Sequence, residues 1–150
     1  MAAARAETAP ERSLGYLLVD AVRLMRRDFY HRAKGLNLTP ALARLLYCVH
    51  REPGSRQADL AARLEVTPVT LSRMIDRLAV RGYVRRVADA ADRRALRVYV
   101  DRAGVPLVGR MDQIGALTTA RATRGLSERD RSMLMRQLQR IIDNLAGAGH

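Results

Sequence analysis

The segment from Gln57 to Val100 constrains the fold of this chain most, because the spacing of its apolar residues changes part of the way along it. Before Gly82 these residues recur every three or four positions, as in an amphipathic helix. After Gly82, two runs rich in β-branched and aromatic residues, Tyr83 to Val87 and Leu96 to Val100, have the pattern of strands. The segment is therefore predicted to form helices followed by one hairpin.

Capping residues divide the helical part of this segment into two short helices. Ser55 can cap the first, and Thr67-Pro68 supplies an N-cap and a proline at the first position of the second. The second helix is predicted over Pro68 to Arg81, where Gly82 closes it. Glu65 stands in the turn, where a left-handed backbone would carry a strain of about 1 kcal/mol unless the turn has another geometry. The predicted buried face of the second helix consists of Leu71, Ile75 and Leu78.

Four more helices are predicted on the two sides of this segment, from apolar residues spaced by three and four. They cover residues 13–34, 40–51, 102–123 and 128 to near the C-terminus. Gly35 ends the first, and the predicted N-caps of the others are Thr39, Asp101 and Ser127. The order of four helices, a two-stranded hairpin and two helices predicts a mainly α fold with a small β-wing.

Composition narrows the classes of partner. Lys+Arg 27 against Asp+Glu 15 give a formal net charge of +12, which favours a polyanion. No apolar run approaches the roughly 20 residues that span a bilayer, so no membrane partner is expected.

Residues 1–12 are predicted to be a disordered N-terminal segment of a cytoplasmic protein. The single Cys48 and the scattered His31, His50 and His150 predict no disulfide, no metal site and no cofactor.

The helix predicted over Pro68 to Arg81 has the properties of a helix that enters the major groove of DNA. That groove admits one helix, whose exposed face must be polar and whose back must be fixed to its domain. A hydroxyl can donate to phosphate or base, a methyl can touch thymine, and a guanidinium can pair with guanine. The groove contacts expected from this reasoning are Val69, Thr70, Arg73 and Arg77. The residues expected on phosphate are Ser55, Gln57, Arg85 and Arg86.

The tip of the predicted hairpin, Asp92-Arg93-Arg94, suits the minor groove. Concentrated negative potential in that narrow groove favours arginine without demanding a particular base. Asp92 is expected to hold a neighbouring arginine by a bidentate ion pair. The loop over residues 88–95 is small or charged and is predicted to be too polar for burial.

We compare three classes of function for a basic chain of this kind. An enzyme is not predicted, because the sequence has no Gly-rich phosphate loop, no paired nucleophile and base, and no metal cluster. A sequence-specific transcription factor explains the ordered succession of helix, capped helix and Arg-tipped hairpin. The alternative is a sequence-tolerant architectural or nucleoid DNA-binding protein, which the charge of +12 also supports.

These features, over nearly the whole chain, resemble the MarR family of bacterial transcription regulators, and most closely its SlyA-like members. The most specific part is the wing, Ala91-Asp92-Arg93-Arg94-Ala95-Leu96-Arg97-Val98, where the family has an Asp-x-Arg tip leading into a basic strand. Further landmarks of the family match Leu36-Asn37-Leu38-Thr39, Ala58-Asp59-Leu60-Ala61 and Leu78-Ala79-Val80-Arg81-Gly82-Tyr83-Val84.

The resemblance implies a homodimer in which two winged helix-turn-helix regions contact successive major grooves of a pseudo-palindromic operator. Residues 39–101 would form the DNA-binding region, and residues 13–38 and 102–146 the helical dimerisation region. Long apolar stripes at both ends of the chain support an interface, since exposed stripes of that size usually mark one. Packing of these stripes within one chain is the alternative.

The family pattern also implies site residues and a ligand. By matching positions, Val69, Thr70, Ser72 and Arg73 would contact the major groove, and Arg93 or Arg94 the minor groove, with the spacing favouring Arg94. The resemblance further implies a repressor that a small aromatic acid releases from DNA by binding between the dimerisation helices and the winged region. The effector-pocket residues expected there are Arg23, Thr39, Ala43, Tyr47 and His50.

Overall fold

The computed structural model describes residues 13–147, so the predicted disordered segment 1–12 lies outside the described residues. In chain order the elements are α1 (Leu14–Arg32), a 3₁₀ turn (Ala33–Leu36), α2 (Pro40–Arg51), β1 (Ser55–Arg56), α3 (Gln57–Leu64), α4 (Pro68–Val80), β2 (Val84–Ala88), β3 (Leu96–Val100), α5 (Val105–Ala122) and α6 (Glu128–Gly147). The predicted mainly α fold with a small β-wing is confirmed. No helix in this range is long and apolar enough to cross a membrane.

Side-chain caps begin the helices at three of the predicted positions. Thr39 Oγ1 accepts a hydrogen bond from the backbone N–H of Leu42, and Thr67 Oγ1 accepts one from Thr70, with proline following each cap. Ser127 Oγ accepts a hydrogen bond of 3.1 Å from the N–H of Asp130 at the start of α6. These local contacts need only neighbouring residues, so the sequence predicts them correctly.

Ser55 is not the cap of α3, contrary to prediction. It lies in the two-residue strand β1, paired with Val98 of β3, and α3 begins after Arg56 without a side-chain cap. Gly54, at φ +80°, turns the chain so that its N–H donates to the Val98 carbonyl at 3.0 Å. The sheet therefore has the three-stranded order β1-β3-β2 in place of the predicted two strands.

Two other predicted helix ends are wrong. The first helix continues as a 3₁₀ turn beyond Gly35, and Asn37 adopts the left-handed conformation instead, at φ 52°. On the C-terminal side, Asp101 does not cap α5, because a tight turn closed by the Gly104 N–H and the Asp101 carbonyl comes first and the helix begins only at Val105. Helix α5 then begins with Pro106 in its first turn, where the missing N–H of proline leaves no unpaired donor.

The turn between α3 and α4 has the left-handed geometry at Glu65, with φ 55° and ψ 43°. The strain of about 1 kcal/mol expected of a residue with a Cβ in this region is therefore present. The N–H of Val66 donates to the Ala61 carbonyl at 3.0 Å, and that of Glu65 to Ala62 at 3.1 Å. These bonds satisfy carbonyls at the end of α3 and offset the strain.

The hydrophobic core lies among α2, α3, α4, the sheet and the first half of α5. The predicted buried face of α4 is confirmed, and its residues pack with Leu45, Leu46 and Val49 of α2. Helices α1 and α6 contribute no buried residue in the described chain. Their large exposed apolar side chains are Leu14, Tyr16, Leu17, Val19, Val22, Leu24 and Met25 on α1, and Met133, Leu134, Met135, Ile142 and Leu145 on α6.

A nearly buried carboxylate, Asp28, joins α1 to α5. Its oxygens accept hydrogen bonds from Arg32 Nε at 2.8 Å and Thr118 Oγ1 at 2.9 Å, and it also pairs with Arg121 of α5. The side chain of Asp28 is 13% exposed. The hydrogen bond from Arg32, helped by Thr118 and Arg121, outweighs desolvation and lowers the pKa of Asp28 from 3.8 to about 2.

Asp28 should make the fold sensitive to acid. Because its pKa is lowered in the folded chain, its contribution to stability is fully present above 3.8 and is lost as the pH falls through about 2. We expect Asp28→Asn to unfold at lower urea concentration near neutral pH and to lose less further stability over that acidic range. Asp143→Asn, an exposed carboxylate on α6, serves as the control. Parallel stability curves for Asp28→Asn and wild type would contradict this role.

Candidate nucleic-acid interface

Helix α4 has one face in the core and presents the other to solvent. Val69 is 62% exposed, and Thr70, Arg73 and Arg77 are exposed on the same helix. The hydroxyl of Thr67 donates to Thr70 Oγ1 at 2.9 Å, so the Thr70 O–H is free to donate outward. The first turns of α4 thus offer a methyl group, a hydroxyl donor and guanidinium groups to a partner.

Ser72 differs from its neighbours on α4, because it faces the sheet. It is half-buried, and its carbonyl accepts a hydrogen bond of 3.1 Å from Arg86 Nη2 of β2. Its hydroxyl oxygen lies 3.4 Å from the same nitrogen. The sequence placed Ser72 with the groove contacts, whereas the structure places it beside the hairpin.

Arg86 forms a cluster with Gln57, Asp76 and Ser72, which we call the Arg86 cluster. Its Nε donates to Gln57 Oε1 of α3 at 2.6 Å, and its Nη1 donates to Asp76 Oδ1 of α4 at 2.7 Å. Gln57 and Arg86 were both expected on phosphate, and in the structure the two side chains are bonded to each other. The guanidinium connects β2 to both helices of the helix-turn-helix and fixes α4 relative to the wing.

Arg85, the neighbouring residue on β2, projects to the other side of the strand. Its guanidinium carbon lies 5.1 Å from the centre of the Tyr99 ring, and its Nε lies 4.0 Å from Asp101. The side chain is 54% exposed. Arg85 is therefore the more exposed of the two, whereas most donors of Arg86 are used within the fold.

The tip of the wing is closed by Asp92 through the backbone. Its Oδ1 accepts from the N–H of Arg94 at 3.0 Å, and its carbonyl accepts from the N–H of Ala95 at 2.9 Å. The ion pair expected between Asp92 and a neighbouring arginine is not formed within residues 13–147. In such an Asx turn the carboxylate accepts a hydrogen bond from the backbone N–H two residues further along the chain. The side chains of Arg93 and Arg94 remain exposed.

Asp89 is buried, although the loop was predicted to be too polar for burial. With its residue only 4% exposed, it forms the Asp89 cluster with Arg97 of β3 and Arg56 of β1. Its Oδ2 accepts from Arg97 Nε at 2.9 Å and lies 3.3 Å from Arg56 Nε. The hydrogen bond from the Ala91 N–H, together with the two arginines, lowers the pKa of Asp89 against its desolvation.

The sequence could not reveal the whole Asp89 cluster, because the position of Arg56 in it depends on β1. Arg56 and Arg97 are register partners in adjacent strands, and like charges directly opposite one another are unfavourable. A carboxylate between them removes that repulsion. A two-residue strand has no periodicity by which the partner of Arg97 could have been recognised.

A cavity of about 270 Å³ lies where α1, α2 and α5 meet. Two of the expected effector-pocket residues, Ala43 and Tyr47, line it. Residues that the sequence reasoning missed are Met25, Arg26, Phe29, Tyr30, Arg44, Met111, Gly115, Thr118 and Thr119. The missed residues on α1 are Met25, Arg26, Phe29 and Tyr30. They are spaced by three and four positions, and this spacing could have identified them as one face of the helix.

The other three expected pocket residues lie outside this cavity. Arg23 pairs with Asp20 on α1, and Thr39 is occupied as the N-cap of α2. His50 Nε2 lies 3.2 Å from the Asp112 carboxylate of α5. The structure therefore does not bring the five residues together.

Known proteins share the fold of this chain and, over part of it, a family sequence pattern. Residues 38–96 match the sequence model of the MarR family. A crystal structure of MarR is 26% identical, covers 93% of this chain and 95% of that chain, and superposes with a TM-score of 0.80. The transcriptional regulator SlyA is 27% identical over 91% of this chain and 96% of its own, with a TM-score of 0.70.

A third structure, the transcriptional repressor CouR bound to a 23-mer DNA duplex, is 28% identical. It covers 87% of this chain and 92% of that chain, with a TM-score of 0.70. The family pattern thus runs from just before α2 to the start of β3, and the likeness in fold extends over the flanking helices. On these two grounds the chain is similar to the MarR family, and it has the winged helix-turn-helix fold of that family's transcription regulators.

Proposed function

We propose that the protein is a homodimeric, sequence-specific DNA-binding repressor that acts in the cytoplasm on a pseudo-palindromic operator. The observation that carries this proposal is the placement of Val69, Thr70 and Arg73 on the exposed face of α4. The back of that helix is held by the core and by the Arg86 cluster. A polar helix face on a rigid support is what reading a major groove requires.

The wing supplies the second part of the proposed DNA interface. Arg93 and Arg94 extend from its tip, and Arg85 lies exposed on β2. Among the structural relatives, CouR is a repressor bound to DNA, and its likeness in fold supports the same use here. We assign Arg94 to the minor groove and Arg85 to phosphate, and we assign Gln57, Ser72 and Arg86 to the support of α4.

Arg73→Ala tests whether α4 recognises sequence. A guanidinium that pairs with guanine strengthens binding only to a duplex with guanine at that position. We therefore expect Arg73→Ala to lose about 1 to 3 kcal/mol of binding free energy on the selected operator and much less on random DNA. Binding to both duplexes would be measured by fluorescence anisotropy at one salt concentration. Arg124→Ala, which removes the same charge after α5, is the matched control. Equal losses on both duplexes would favour the sequence-tolerant DNA-binding protein.

The proposed homodimer is supported by the flanking helices. Neither α1 nor α6 contains a buried residue, and α6 packs closely on no other described element. Ile142 and Leu145 on α6 are 57% and 74% exposed. Packing of these apolar stripes within one chain would bury them, so a second copy of the chain is the partner that fits.

Ile142→Asp should convert the dimer to monomers without unfolding the chain. The side chain is already exposed in the single chain, so a carboxylate there is costly only if a partner covers it. Sedimentation velocity should give the mass of one chain for Ile142→Asp and of two chains for wild type. Arg140→Asp, on the polar face of the same helix, should remain dimeric. A monomeric wild type would contradict the proposal.

We also propose that a small aromatic acid binds in the cavity among α1, α2 and α5. Phe29, Tyr30 and Tyr47 supply aromatic faces there, and Arg26 and Arg44 supply guanidinium groups for a carboxylate. Of the residues expected from sequence, this proposal keeps Ala43 and Tyr47.

Benzoate and benzamide distinguish recognition of charge from simple apolar binding. We expect benzoate to raise the melting temperature and to weaken DNA binding, and the neutral amide to do neither, because only the acid can pair with a guanidinium. Arg44→Gln should abolish the benzoate effect, while Arg51→Gln, at the far end of α2, should retain it. Equal responses to both compounds would contradict the proposed carboxylate site.

A further inference from the structure

The Asp89 cluster lies between the body of the winged region and the tip that carries the exposed arginines. On one side, Arg97 binds Asp89 Oδ2 through Nε at 2.9 Å and Nη2 at 2.8 Å. The remaining terminal nitrogen of Arg97, Nη1, donates to the Gly54 carbonyl at 2.8 Å. The carboxylate is therefore tied through Arg97 to the turn that connects α2 to β1.

On the other side, Asp89 determines the shape of the loop. Its Oδ1 accepts from the N–H of Ala91 at 2.9 Å, and its own N–H donates to the Ala95 carbonyl at 3.0 Å. The second bond closes the base of the loop, within which Asp92 binds the N–H of Arg94. The direction of the tip thus follows from how the Asp89 carboxylate is held.

We propose that Asp89 is a positioning residue that acts through Arg94, by holding the wing at the angle at which the Arg94 side chain meets DNA. The inference rests on the proposed DNA-binding function. It divides the wing arginines into two groups. Arg56 and Arg97 hold the carboxylate, whereas Arg93 and Arg94 make no ion pair in the described part of the chain and are available to the groove.

The sign of the effect distinguishes positioning from plain electrostatics. Asp89 is an acidic group within the positively charged wing, so removing its charge should strengthen binding to a polyanion if only the net charge matters. If the carboxylate positions Arg94, removing it should weaken binding instead. The two explanations therefore predict opposite changes in affinity for Asp89→Asn.

A double-mutant cycle tests the proposal on the duplex that the wild-type protein selects from a randomised pool. Affinity and its salt dependence would be measured for wild type, Asp89→Asn, Arg94→Ala and the double variant. We expect each single variant to bind about tenfold more weakly and to lower the salt slope by about 1, and the double variant to bind no more weakly than Arg94→Ala. Asp112→Asn on α5 removes one negative charge elsewhere and should bind no more weakly than wild type.

Several results would overturn the inference. It fails if Asp89→Asn binds the duplex as tightly as Asp112→Asn does. It also fails if the affinity losses of Asp89→Asn and Arg94→Ala multiply in the double variant, or if Arg94→Ala binds like wild type. In these cases a wild-type protein that selects a duplex still supports the proposed function. If the wild type selects no duplex, both proposals fail.

Should circular dichroism find Asp89→Asn unfolded, Arg97→Lys replaces it in the same cycle. Lysine keeps the charge but cannot form the paired hydrogen bonds of the guanidinium, so the wing loses its support without a change in net charge. We expect Arg97→Lys to bind DNA about tenfold more weakly than wild type. Added to Arg94→Ala, it should cause no further loss of affinity. Multiplying effects would again overturn the inference.

Discussion

The guanidinium of Arg86 is the interaction on which the candidate interface depends. It bonds to Gln57 of α3 and to Asp76 and Ser72 of α4 from its place on β2. A helix that lies in a groove must keep its angle to the rest of the domain, and the apolar back of α4 alone allows small rotations. Charge-assisted hydrogen bonds have direction, so they fix the orientation that the apolar contacts leave open.

The positive charge of this protein is not concentrated in the winged region. Residues 39–101 contain twelve arginines and seven acidic residues, so less than half of the net charge of +12 lies in the winged region. Within that region Arg56, Arg86 and Arg97 are paired with acidic side chains. Composition counts charges but not their availability, and the residues that remain free for DNA are fewer than the sequence suggests.

The parts of the fold that were predicted correctly are those set by neighbouring residues. Thr39 and Thr67 each cap the helix that follows, and Gly82 has the positive φ expected of a residue closing α4. The exposed face of α4 follows from the same periodicity as its buried face. The missed strand β1 shows the limit, since two residues have no pattern and become a strand only because β3 lies beside them.

The sequence by itself determined the helices, the hairpin, the order in which they follow and the exposed polar face of α4. Caps and periodicity act over a few residues, and the printed sequence contains those neighbours. Tertiary structure decided which polar groups meet: Arg86 and Gln57 are 29 positions apart, and Arg56 and Asp89 are 33 apart. Such pairs exist only after strand register and helix packing bring distant residues together. For that reason the division of arginines into those paired within the fold and those left exposed could not be made from the sequence.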